Sequence, residues 1–242
     1  MIKKALITGA TGFIGQALCL QFKKKGILVK GFAHNHRSEY RHSQLEIPYI
    51  TSLSSQENFD ILVHTAARVH HRGEKGCGID KLYWKQNVEL TQRVIDFSIK
   101  KKIKHFIYLS SVKVYGNKAG SYNEYSLCCP EDPYSQSKYE AEKLLQSAFS
   151  NSSGFLTILR LPMVYGPKNK GNILLLLKVA KKNIPLPLGN AKNKRSFLYV
   201  QNLADACIHI LHNKIGGLYI LTDNQDLDPK TLFKYISKEM GG

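Results

Sequence analysis

Residues 4–26 read KALITGATGFIGQALCLQFKKKG, and their order decides the fold. ALIT (5–8) is a short apolar β-type run, TGATGFIG (8–15) is a glycine turn, and FIGQALCLQFKKKG (13–26) has helical apolar spacing with a glycine stop. A strand that turns through glycines straight into a helix gathers backbone N–H groups and the positive end of the helix dipole at one point, where a phosphate can sit. The spacing is GxxGxxG and not GxGxxG. A tight strand–helix turn alone would also use these glycines, but the placement after a first strand favours dinucleotide binding.

The same alternation continues outward. ILVKGFA (27–33), DILVHTAA (60–67), HFIYLSS (105–111) and FLTILRL (155–161) read as strands. Helical stretches fall near 82–101 and from Tyr134 onward. Nearly continuous apolar strands separated by helices predict a parallel sheet covered on both faces, doubly wound, with its ligand at the carboxyl ends of the strands. Further along, NILLLLKVAKK reads as a helix, NIPLPLGN is broken by Pro185 and Pro187, SFLYV is a strand, NLADACIHILHN a helix and GLYILT another strand. The expected division is a dinucleotide-binding domain over 1–161 with 196–222, and a small substrate lobe over 162–195 with 223–242.

Length and composition narrow the class. The 242 residues are 43% hydrophobic and 10% aromatic, as in a globular chain with one substantial domain. The longest apolar run, ILLLL (173–177), is too short to span a bilayer, so no membrane is expected. The start lacks the apolar core of a signal peptide, and a cytoplasmic location is expected. Five cysteines show no CxxC pair and no metal-type spacing, which predicts free thiols and no metal. The net charge of +17 could mark a nucleic-acid binder or a protein that handles polyphosphate ligands. The basic residues form no single block and carry no interleaved aromatics, so they read as solvated faces and a nucleic-acid partner is not expected.

Two further stretches bear on chemistry. After the second strand comes GFAHNHR (31–37), where Ala33 or His34 occupies the place of a ribose-binding acid. His34, His36 and Arg37 would tolerate or attract a 2′-phosphate, which favours NADP(H) over NAD(H); they would equally serve as exposed loop residues. PYSQSK (133–138) sets Tyr134 and Lys138 four residues apart on one helix face. A phenol has pKa ~10 and is a feeble acid–base at neutral pH, but an ammonium within reach favours the phenolate and lowers that value. Asp132 and Pro133 suit the N-cap and first turn. YLSSVKVYG (108–116) ends a strand in two serines, whose hydroxyls could bond the carbonyl oxygen that Tyr134 protonates.

TGATGFIG, DILVHTAA, Asn87 in KQNVELT, YLSSVKVYG, PYSQSK, LRLPMVYGP and RSFLYVQNLADA occur in that order. Together they resemble the extended short-chain dehydrogenase/reductases, the NAD-dependent epimerase/dehydratase family, which act on nucleotide sugars. AARVH, SSVKVYG and the stretch 171–197 look most like bacterial UDP-N-acetylhexosamine 4-epimerases and 4-ketoreductases of polysaccharide synthesis. The resemblance implies a Rossmann fold, Ser111, Tyr134 and Lys138 as catalytic residues, and a cofactor site of Gly9, Thr11, Gly12, Phe13, Ile14, Gly15, His34, Arg37, Thr65, Ala66, Ala67, Asn87, Tyr134, Lys138 and Pro162. It further implies a UDP-sugar substrate touched by Ser111, Asn172 and Arg195, and a homodimer. Family members run several dozen residues further, so the substrate lobe is expected to be incomplete. Lys113 departs from the small residue of many relatives and would contact phosphate or face solvent. Another short-chain carbonyl reductase, or a non-catalytic NADP-binding sensor or RNA-binding module, are the alternatives.

Overall fold

The structure, a computed structural model, describes residues 4–32, 57–69, 78–169, 172–181 and 193–239. In chain order the first half comprises β1 (Lys4–Thr8), α1 (Phe13–Lys24), β2 (Leu28–Phe32), β3 (Ile61–His64), α2 (Ile79–Tyr83), a π-helical segment (Trp84–Glu89), α3 (Leu90–Lys100) and β4 (His105–Ser111). After a 3-10 turn (Val112–Tyr115) come α4 (Pro133–Phe149), β5 (Phe155–Leu161), β6 (Met163–Tyr165), α5 (Asn172–Lys181), β7 (Arg195–Tyr199), α6 (Val200–His212), β8 (Gly217–Ile220), β9 (Asp226–Leu227) and α7 (Pro229–Glu239).

Six strands form one sheet in the order β2-β1-β3-β4-β5-β8, with every pair parallel. Parallel strands need crossovers, and the helices supply them on both faces. The alternation of side chains shows this directly. Ala5, Ile7, Ile61, Val63, Ile107, Leu109, Leu159 and Leu161 pack with Leu18, Phe22, Leu203 and Cys207 of α1 and α6. The intervening Leu6, Leu62, Phe106, Tyr108 and Ile158 pack with Val94, Ile95, Ala141 and Leu145 of α3 and α4. Each fully buried Leu, Ile or Phe removes apolar surface worth about 1.5–3 kcal/mol from water, which is why the strands read as unbroken apolar runs.

Chain order reverses at β1, which lies between β2 and β3. Open sheets of this kind bind ligands beyond the carboxyl ends of the strands at that switch point. Thr8, His64 and Ser111 are the last residues of β1, β3 and β4, so all three reach that end of the sheet.

The second half differs from expectation in one respect. The strand SFLYV does not enter the main sheet. β7 pairs in parallel with β6, a three-residue strand too short to read from periodicity, and antiparallel with β9. Leu198 nevertheless packs into the main core with α6, so β7 bridges the two layers. Among the described residues no helix is long and apolar enough to cross a membrane.

Candidate active site

The glycine turn follows from close approach. Gly9 has φ +69°, and a Cβ there would come within 2.7 Å of Thr65 Oγ1 and 2.8 Å of the Ala66 nitrogen. A Cβ on Gly15 would run into the Gly9 carbonyl oxygen. Only glycines let β1, the β3 end and the first turn of α1 meet. Gly12 is the N-cap of α1, makes no side-chain cap bond, and no acidic residue follows in the first turn. The amide groups of Phe13, Ile14 and Gly15 thus present the helix dipole to an anion with no carboxylate in competition. That donor set fits the pyrophosphate of a dinucleotide. Thr11 contributes its carbonyl to Gln16 Nε2 at 2.8 Å, which stiffens the turn.

Beside the turn, Thr65 Oγ1 donates to the Thr8 carbonyl at 2.6 Å, and the Ala66 N–H donates to Thr8 Oγ1 at 3.3 Å. Ala66 and Ala67 run from the β3 end along this wall, and Pro162 stands half-buried between β5 and β6. Asn87 is buried and fully committed. Its Oδ1 accepts from Arg68 N–H at 2.7 Å, and its Nδ2 donates to the Arg68 carbonyl at 3.1 Å and to Ser137 Oγ at 2.8 Å. It shapes the wall and has no donor left over for a ligand.

Asp132 caps α4: its carboxylate accepts from Ser135 N–H at 2.8 Å, and Ser135 Oγ accepts from Asp132 N–H at 3.1 Å. With Pro133 in the first turn, this fixes Tyr134 at the helix start. Tyr134 meets Tyr83 edge to face at 6.2 Å between ring centroids, and the Ser111 hydroxyl lies near enough to its phenol to favour the phenolate. Lys138 lies one turn further, 2% exposed, with its ammonium 4.1 Å from the Tyr108 ring centroid. Ser111, Tyr134 and Lys138 are therefore brought together.

Their electrostatics depart from the expected phenol–ammonium pairing. Burial pushes the Tyr134 hydroxyl up to about 12, the Ser111 hydroxyl pulls it down, and Asp132 and Tyr83 push it up again. Burial lowers Lys138 to about 7, against a pull upward from Glu142. The ammonium sits over Tyr108, and desolvation outweighs the charge assistance that i,i+4 spacing suggests.

Beneath the site, Glu142 receives Arg160 through two nitrogens, with Nη2 to Oε2 at 2.7 Å, and also the Ser110 hydroxyl. Arg160 Nη1 donates to Tyr115 Oη at 2.8 Å. Lys113 is exposed to solvent, as one of its two expected roles has it, and is also paired. Its ammonium pairs with Asp132 at 3.1 Å and so ties the Ser111 turn to the α4 cap. Sequence reading also missed His64, whose Nδ1 lies 2.6 Å from Thr8 Oγ1 and whose Nε2 lies 2.9 Å from Thr91 Oγ1. A histidine at the end of an otherwise apolar strand was the available signal.

The remaining described candidates lie on later elements. Asn172 opens α5, and Arg195 opens β7 with an exposed side chain opposite Leu227. His34 and Arg37 lie outside the described residues. Among the described residues no group of three or more His, Cys, Asp or Glu side chains could hold a metal ion. Cys19, Cys128, Cys129 and Cys207 are free thiols.

The sequence model of the NAD dependent epimerase/dehydratase family matches residues 5–220, and the chain belongs to that family. It is 31% identical over 248 residues to a UDP-glucose 4-epimerase of Vibrio cholerae, covering 98% of this chain and 76% of that protein. It is 28% identical over 251 residues to the N-acetyl-alpha-D-glucosaminyl-diphospho-ditrans,octacis-undecaprenol 4-epimerase of Escherichia coli O157:H7, covering 99% and 73%. Among solved structures, the UDP-glucuronic acid 4-epimerase from Bacillus cereus in complex with UDP-glucuronic acid and NAD superposes with TM-score 0.83 at 26% identity, covering 99% of this chain and 84% of that one.

A nicotinamide dinucleotide is therefore the cofactor class. The expected preference for NADP(H) is not supported: the family is named for NAD, and the Bacillus cereus structure holds NAD.

Proposed function

We propose that this chain is an NAD-dependent enzyme that oxidises and reduces C4 of a UDP-linked hexose or N-acetylhexosamine, acting as a 4-epimerase. One observation carries the reading. Ser111 ends β4 with its hydroxyl near enough to Tyr134, in the first turn of α4, to pull the phenol's pKa down, with Lys138 one turn beyond, at the strand ends where the glycine turn opens.

NAD supplies the hydride acceptor and donor at C4. The amide groups of Phe13, Ile14 and Gly15 would hold the cofactor's pyrophosphate, with Gly9, Thr11 and Gly12 shaping the turn. Thr65, Ala66, Ala67 and Pro162 border the rings. Ser111 hydrogen-bonds the sugar C4 oxygen, and Tyr134 Oη takes the C4 hydroxyl proton on oxidation and returns it on reduction. Lys138 places a positive charge one turn from that proton and holds the nicotinamide ribose. Asn172 and Arg195 grip the UDP diphosphate, the latter through a bidentate guanidinium. The substrate's UDP moiety anchors the sugar so that C4 stays aligned, which is where most of the rate gain arises.

We also propose a homodimer, supported by the exposed Leu82 and Trp84 beside α4, and readable by light scattering.

The test is turnover of UDP-glucose, UDP-N-acetylglucosamine and UDP-glucuronic acid by the purified chain with NAD, scored by chromatography of the C4 epimers. Appearance of the epimer, lost in Tyr134→Phe while NAD binding persists, supports the reading. Failure to form any epimer despite saturable NAD binding overturns it.

A further inference from the structure

Between the glycine turn and the catalytic helix run two buried hydrogen-bonded segments joined through Asn87, one ending at its backbone carbonyl and the other starting at its side chain. Their proton directions follow from the partners. Thr91 Oγ1 lies 2.5 Å from the Asn87 carbonyl, which can only accept, so the single Thr91 hydroxyl proton is committed there. Thr91 oxygen must then accept from His64 Nε2 at 2.9 Å, and Nε2 carries the ring proton. His64 Nδ1 is left as an acceptor and takes the Thr8 hydroxyl proton at 2.6 Å. Thr8 oxygen in turn accepts from Ala66 N–H at 3.3 Å.

On the other side, Asn87 Nδ2 donates to Ser137 Oγ at 2.8 Å, and the Ser137 hydroxyl donates to the Tyr134 carbonyl at 2.7 Å. Along this path every N–H and hydroxyl proton finds an acceptor, the second Asn87 Nδ2 proton going to the Arg68 carbonyl. Thr8, His64, Asn87, Thr91 and Ser137 are all buried, so no water is needed to complete it.

We propose that His64, in its Nε2–H tautomer, is a positioning residue that locks the turn at Thr8 and Ala66 to the Tyr134 carbonyl through Thr91, Asn87 and Ser137. The catalytic part of this inference rests on the 4-epimerase reading above; the tautomer does not. The relationship is one of registry. Thr8 belongs to the wall that faces the cofactor, and Tyr134 Oη must meet sugar C4 held against that cofactor. Misplacement by about 1 Å at such a junction costs about 10²-fold in rate.

The groups facing the ring support a single protonation state. Thr8 comes from β1, Thr91 from α3, Phe106 and Tyr108 from β4 at 6.2 and 5.6 Å between ring centroids, and Lys138 from α4. None is an anion. Burial pushes the imidazole down to about 3, and the charge on Lys138 acts in the same direction. A second ring proton would oppose the Thr8 hydroxyl proton and break the sequence of donors at its first link.

The experiment is nitrogen NMR of the histidine-labelled chain, with the His64 signals assigned by their loss in His64→Gln. The expected result is one Nε2–H imidazole whose shifts stay constant from about pH 5 to 8. The Nδ1–H tautomer, or titration within that range, overturns the proposal whether or not the protein turns over any sugar.

Thr91→Val tests transmission. It is expected to release the tautomer and to shift the amide resonances of both Ala66 and Tyr134. Shifts confined to the neighbours of residue 91 overturn the proposal.

For turnover, His64→Leu is expected to lower kcat by about tenfold or more with KM for the UDP-sugar within about twofold, and His64→Gln, which can still donate and accept, to recover part of it. An unchanged kcat in folded His64→Leu overturns the catalytic part. Absence of turnover in the parent chain, with the NMR signature intact, defeats the 4-epimerase reading and leaves the lock standing.

Discussion

Lys138 holds its ammonium against the face of Tyr108, 4.1 Å from the ring centroid, on a buried helix face it shares with Ala141, Glu142 and Leu145. Its pKa falls from 10.5 to about 7 because burial disfavours the charge. Between those two values the unfolded chain binds more protons than the folded one, so this group's contribution to stability rises with pH from about 7 toward 10.5 and is least favourable below 7. Lys138→Met is accordingly expected to stabilise the protein at pH 7 by about 1–3 kcal/mol, to flatten the rise toward pH 9.5, and to abolish turnover. Urea denaturation at the two pH values measures this. A variant less stable than its parent at pH 7 would show that the site is not strained by the charge.

The Ser111 hydroxyl is the one influence that pulls the Tyr134 pKa down against burial, Asp132 and Tyr83. Removing it in Ser111→Ala is expected to raise the phenol's pKa further. Because oxidation of the sugar needs the phenolate as base, the alkaline-rising limb of the kcat profile should move to higher pH, with kcat at pH 8 down by about 10²-fold. An unmoved limb would place the titrating group elsewhere.

Arg160 and Glu142 form a buried pair, their side chains 5% and 1% exposed. Removing one partner strands the other's charge in the core, so Glu142→Gln or Arg160→Met should each cost about 3–5 kcal/mol. The double variant Glu142→Leu with Arg160→Met should recover most of that loss, since an apolar pair has no charge to strand. Additive losses in equilibrium denaturation would contradict the pairing.

Gly15 is the tightest contact in the turn, where a methyl group would collide with the Gly9 carbonyl. Helix α1 must shift outward to accept Gly15→Ala. Cofactor affinity, read by NADH fluorescence, should fall about tenfold or more while β4 and α4 remain intact by hydrogen exchange. Undiminished affinity would mean that the turn's amides do not hold the dinucleotide.

Much of the fold was legible because of local regularity. HFIYLSS and FLTILRL coincide with β4 and β5, since both faces of a central parallel strand are buried and leave an unbroken apolar run. The glycine turn and the PYSQSK helix start were readable for a similar reason: their chemistry is written in consecutive residues. What escaped was decided over long separations. The bond from His64 to Thr8 spans 56 residues and that from Asn87 to Ser137 spans 50, and no periodicity marks which buried polar groups will meet. Lys113 finds Asp132 across 19 residues, a pairing invisible in SSVKVYG. β7 pairs with β6, whose three residues are too few for any periodicity to mark the smaller sheet in advance.

The π-helical segment over Trp84–Glu89 has a consequence for how this chain tolerates change in length. A π turn holds one residue more than an α turn, so it acts as an insertion absorbed without a loop. It lets Tyr83 face Tyr134 while Val94 and Ile95, further along, still face the sheet. Loss of a single codon there would restore an ordinary helix and turn everything after it by about 100°. The apolar stripe of α3 would then leave the core, and Thr91 would swing off His64. Reading frame aside, this is a stretch where a one-residue deletion should be far more damaging than most substitutions.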